Sequence, residues 1–80
     1  SIKKDEEWNE PKRIDGKLIV GRGKILKINH QIFISSKSVI ELKKNAKIIL
    51  MDETILKDNN GAIFQLNKIK KGKGASIKIK

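Results

Sequence analysis

The chain has 80 residues, 19 Lys+Arg against 9 Asp+Glu, a net charge of +10 and no Cys. That length allows one domain, and no apolar stretch reaches the ~20 residues of a membrane-spanning helix or the pattern of a secretory signal. Without Cys and with His30 as the lone His, there is no disulfide framework, no thiol nucleophile and no His- or Cys-based metal cluster.

The charge is uneven. Residues 1–10 hold two Lys and four acids, residues 11–80 hold 17 basic and 5 acidic groups, and residues 68–80 hold six Lys and no acid. Lys outnumbers Arg 17 to 2 and Ile outnumbers Val 15 to 2, a bias that A/T-rich codons alone can write. Lys serves phosphate as a point charge, whereas Arg reads it bidentately.

Residues 1–13 read as an N-terminal arm. They are mostly polar, and Pro11 opposes helix and central-strand pairing around it. Trp8 has two readings: a plug folded back onto the core, or an exposed partner-binding anchor. The chain opens on Ser1 without Met, which fits a fragment of a larger protein, a processed chain or a tag remnant.

From Ile14 to Lys80 the pattern is a β domain. Short Ile-rich runs recur at 18–20, 24–28, 31–34, 39–42, 47–51, 54–56, 62–66 and 76–80. They are too short for helices and are dominated by β-branched residues. Gln31–Ile34, Ala62–Leu66 and Ser76–Lys80 alternate with period two. Asp15-Gly16 fits a hairpin opening. Gly21-Arg22-Gly23 suits a bulge or sharp bend in a long strand from Lys17 to Ile28. Ser36 could cap a short helix near 37–45, although a strand there is preferred. Asn59-Asn60-Gly61 is the strongest turn signal and should join strand 54–57 to strand 62–66 as a hairpin. Gly72-Lys73-Gly74 forms the last loop.

The expected fold is therefore all-β: a small single domain of five to seven short, mostly antiparallel strands, closed as an SH3/OB-like barrel or a two-layer sheet. Closure would also hide edge strands that invite aggregation. Phe33 and Phe64 sit opposite their aliphatic neighbours and are read as core residues, with exposed stacking platforms as the alternative.

Two stretches resemble known families. Gly23–Ile34 (GKILKINHQIFI) is similar to the strand–loop–strand of KOW-type SH3-like domains. Five segments place a Gly or Asn corner before a strand, at Gly16, Gly23, Asn45, Gly61 and Gly74, which resembles the coils of a β-solenoid as in hexapeptide-repeat acyltransferases. The corner spacings of 7, 22, 16 and 13 lack the fixed period of a solenoid, and the transferase chemistry implied by that resemblance would fall to His30.

No constellation supports an enzyme. Asp15, Asp52, Glu53 and Asp58 lie beside turns, His30 reads as a turn residue, and Gly21–Lys24 lacks Walker spacing. No catalytic residue, metal site or cofactor is expected. The expected function is a non-enzymatic binding module for a polyanion, nucleic acid first, through Arg22, Lys24, Lys27, Lys68, Lys70, Lys71, Lys73 and Lys78 with little sequence specificity. The alternative is an interaction or structural β-module docking an acidic protein partner, a cell-wall polymer or a membrane face, with Trp8 as its anchor. The compartment is not fixed by the sequence; the cytoplasm is favoured.

Overall fold

The computed structural model describes residues 1–80. Ten short strands run in chain order: β1 (Glu6–Trp8), β2 (Lys12–Ile14), β3 (Lys17–Val20), β4 (Ile25–Ile28), β5 (Gln31–Ile34), β6 (Val39–Leu42), β7 (Lys47–Leu50), β8 (Ile55–Lys57), β9 (Lys70–Lys71) and β10 (Ser76–Ile79), with one 3-10 turn at Leu66–Lys68. They form three parallel sheets, β1-β4-β7-β10, β2-β5-β8 and β3-β6-β9.

Successive strands visit the three sheets in rotation, so the chain is a three-sided coil that pairs each strand with the one a full turn later. This corrects the antiparallel barrel expected from the sequence, in its SH3/OB-like and two-layer forms alike: every strand-to-strand ladder is parallel. Parallel pairing normally needs a crossover of a dozen or more residues. Here the other two sides of the coil serve as that crossover. Links of a few residues, which suggest hairpins in sequence, therefore turn corners instead.

The Asp15-Gly16 step is one such corner, since β2 and β3 lie in different sheets. Gly21–Gly23 does bend the chain, but it separates β3 from β4 in different sheets instead of bulging one strand. The stretch near 37–45 contains no helix. Val39–Leu42 is β6, and Asn45 turns the next corner at φ 61°. The expected Asn59-Asn60-Gly61 reversal forms only in miniature: Lys57 and Ile63 make an isolated antiparallel bridge, and the Asp58 amide donates to the Ala62 carbonyl at 2.9 Å.

The solenoid-like corners were masked by unequal coils. Along the longest sheet, Glu6 pairs with Leu26, Leu26 with Ile48 and Ile48 with Ile77, steps of 20, 22 and 29 residues. Gly16 and Gly61 belong to a different edge of the coil from Gly23, Asn45 and Gly74. Mixing the two sets hid the repeat.

Period-two alternation sends one side chain of each pair into the coil. Inward columns stack like on like: Trp8, Ile28 and Leu50; Leu26 and Ile48; Ile32 and Leu56; Ile2, Val20 and Leu42. Fourteen side chains form one buried apolar cluster, with Val20, Leu26, Ile32 and Leu42 fully enclosed. Stacked aliphatics at the ~4.8 Å inter-strand spacing fill such an interior closely.

Residues 1–13, set apart as an arm in the sequence, pack on the next coil. Ile2 bridges Val20, β1 pairs with β4 and β2 with β5. Trp8 is buried at 8% exposure. Its indole N–H donates to Glu6 Oε1 at 3.1 Å, and the Lys12 ammonium stands 5.5 Å from its ring centre. Trp8 is a plug on the first coil.

Candidate polyanion interface

Three corners of identical build lie above one another between the β3-β6-β9 and β1-β4-β7-β10 sheets: Arg22-Gly23, Lys44-Asn45 and Lys73-Gly74. The second residue of each has positive φ, 70°, 61° and 76°, where Gly and Asn are the favoured residues. Backbone bonds join the levels: the Gly23 amide donates to the Lys44 carbonyl and the Asn45 amide to the Lys73 carbonyl, both at 3.0 Å. The corner's first residue is exposed in every case. The result is a column of three cations, Arg22, Lys44 and Lys73, at the coil spacing of roughly 4.8 Å.

Both adjoining sheets add to it. On one side the outward positions hold Lys27, Lys47 and Lys78, interleaved with Ile25 and Ile49. Lys24 leads into that sheet, its stem beside Gly21. On the other side Lys70 lies next to Glu41 in the ladder, and Lys71 ends β9. None of these cations enters any of the four ion pairs, which join Lys12 to Glu10, Arg13 to Asp15, and both Lys17 and Lys43 to Glu41.

Glu41 is the one carboxylate in the β3-β6-β9 sheet; on the other side Glu7 stands beside Lys27 in the ladder and Asp5 Oδ1 accepts from the Ile25 amide at 2.9 Å. The Lys43 ammonium at 3.1 Å holds the Glu41 pKa below the usual carboxylate value, helped by Lys17 and Lys70. Asp15 is likewise held low by the Arg13 guanidinium at 2.8 Å. Both carboxylates stay ionised at neutral pH and act as counter-charges.

Of the residues picked from the sequence, the fold gathers Arg22, Lys24, Lys27, Lys70, Lys73 and Lys78 on this corner and its flanks, while Lys71 stacks on the inward column of Leu42. The fold leaves Lys68 apart, on the 3-10 turn beside another edge. Trp8 offers no exposed anchor. Lys44 and Lys47 belong to the array of Lys beside strand ends in the sequence, but were not among the residues picked from it. The signal for Lys44 was present, a basic residue directly before Asn, 22 residues beyond Arg22-Gly23.

The aromatic positions lie elsewhere. Phe33 points outward, 38% exposed, between Arg13 and Lys57 in its ladder, so it is not the core residue its alternation suggested. It stands on β2-β5-β8, the sheet opposite the basic corner. Phe64 packs, half-buried, against the core. The corner thus offers charge without a stacking platform. At the opposite extreme, the edge between β4 and β5, with its equivalents above and below, carries Glu10, Asp52 and Glu53. No family model matches this chain, and neither a curated protein nor a solved structure does.

Proposed function

We propose that this chain is a non-enzymatic binding module for a polyanion, with the sugar–phosphate backbone of nucleic acid as its first ligand. The observation that carries the reading is the Arg22–Lys44–Lys73 column, flanked by Lys24, Lys27, Lys47, Lys70 and Lys78 and free of ion pairs. Closely spaced cations of one sign release counterions from a phosphate chain. With Phe33 on the far sheet, base stacking does not accompany backbone contact. Binding should be indifferent to sequence and steeply salt-dependent.

Fluorescence anisotropy with labelled duplex DNA and RNA at rising salt tests this. The chain should bind at low salt, and the triple change Arg22→Gln, Lys44→Gln, Lys73→Gln should flatten the log–log salt slope by roughly 2 to 3. Neutralising Arg13, Lys37 and Lys57, which lie off the corner, should weaken binding far less. No binding at ~50 mM salt, or equal loss from both triples, overturns the reading. Binding to an acidic protein but to no nucleic acid would support the interaction-module alternative.

A further inference from the structure

A cleft of about 250 Å³ opens where the turn after β5 meets the excursion between β8 and β9. It lies on a different edge from the basic corner and its case does not depend on the polyanion reading. The turn contributes Ser35, Ser36 and Ser38. The excursion contributes Asp58, Asn59, Asn60 and Lys68, and Phe64 lines the cleft with Ile34 and Ile40.

The hydrogen-bond inventory leaves both donors and acceptors on offer. Ser38 donates to the Ile14 carbonyl at 2.7 Å, so the 2.8 Å contact between Ser35 and Ser38 is a donation from Ser35. Ser35 then keeps its lone pairs. Ser36 Oγ accepts from Asn59 Nδ2 at 3.3 Å and keeps its own proton. Asp58 Oδ1 is committed to the amides of Asn60 and Ala62 at 2.8 and 3.0 Å, which fixes the rim and leaves Oδ2 unused. The side-chain amide of Asn60 and the Lys68 ammonium make no hydrogen bond or ion pair within the protein.

Charge and shape narrow the ligand. Among the lining side chains one carboxylate and one ammonium balance, and Asp15, which reaches Ser35, is already paired with Arg13. The remaining polar groups are neutral hydroxyls and amides, and a half-buried aromatic ring lies among them. Neutral polar groups converging beside an apolar surface suit a molecule with many hydroxyls and one C–H face. We propose that this cleft binds a neutral sugar residue, its hydroxyls on Ser35, Ser36, Asn60 and Asp58 and its C–H face against Phe64.

The test is an NMR titration of the ¹⁵N-labelled 80-residue chain with glucose, galactose, mannose and N-acetylglucosamine, and separately with inorganic phosphate. At least one sugar should give saturable shifts confined to the amides of Ser35–Ser38, Asn59–Ala62 and Phe64, while phosphate leaves these unmoved. Asn60→Ala and Phe64→Leu should each weaken that sugar by about tenfold. Asn60 is exposed and its side chain makes no bond within the protein, so its variant keeps the test valid if Phe64→Leu disturbs the fold. The assignment is overturned if no sugar saturates these amides, if phosphate does so instead, or if the sugar shifts survive both substitutions undiminished.

Discussion

Glu41 faces outward among Lys17, Lys43 and Lys70, the one acid of the β3-β6-β9 sheet. Its folded pKa lies below its unfolded one, so the unfolded chain binds the extra proton between the two values. Stability from this carboxylate is therefore full above the ordinary Glu range and is lost as pH falls through the depressed folded pKa. Glu41→Gln should remove that part of the acid dependence, read as melting temperature against pH for both proteins. The same change frees Lys43 and Lys17 for phosphate. Under the proposed function it should strengthen nucleic-acid binding a few-fold and steepen the salt slope, a gain that a merely structural Glu41 would not produce. At this scale the sequence was partly readable. Arg22 and Lys73 were identified as cations beside glycines, but the alignment of residues 51 positions apart in one column, with Lys44 between them, is written in the coil and in no local motif. Phe33 shows the converse: its alternation with Ile32 and Ile34 was visible, yet alternation alone does not say which parity faces inward.

The corner is the repeating element that most constrains the chain. Gly74 has φ 76°, and a Cβ there would run into the Asn45 side chain on the coil below. Gly74→Ala therefore meets the left-handed backbone penalty and must also turn the exposed Asn45 side chain aside. It should cost at least the ~1 kcal/mol of positive φ, measured as a shift in the urea midpoint. Gly23 also has positive φ but open space around its missing Cβ, so Gly23→Ala should show the backbone penalty by itself. Strand positions were largely legible, because short β-branched runs with period two fit strands in either pairing sense. Their direction was not. A link of a few residues fits a hairpin in a sheet and a corner in a coil equally well. Only the step between equivalent corners tells them apart, and the lengthened third turn broke that step.

For the whole molecule, one cluster of fourteen buried side chains joins all three sheets, so the coils should unfold together. Leu42 is fully enclosed in its inward column, and Leu42→Ala should destabilise by roughly 2–5 kcal/mol. Ile55→Ala, on an outward position 47% exposed, should change stability by no more than about 0.5 kcal/mol. Urea denaturation of both variants checks the assignment of inside and outside. The fold also turns the net charge into a direction. The chain carries Arg22, Lys44 and Lys73 on one edge of the coil and Glu10, Asp52 and Glu53 on another. The sequence showed an acidic head and a basic tail; winding the chain distributes those charges around the axis as well as along it.

The excursion between β8 and β9 lengthens one turn to 29 residues, yet β10 still meets β7 in the same column as the turns of 20 and 22. The ladder thus fixes where a strand returns without fixing how far the chain wanders first. Such an edge behaves as a splice point. A foreign loop grafted at Asn59–Asn60, both exposed, would leave the stacked columns undisturbed, and new recognition surfaces could be acquired there without redesigning the scaffold.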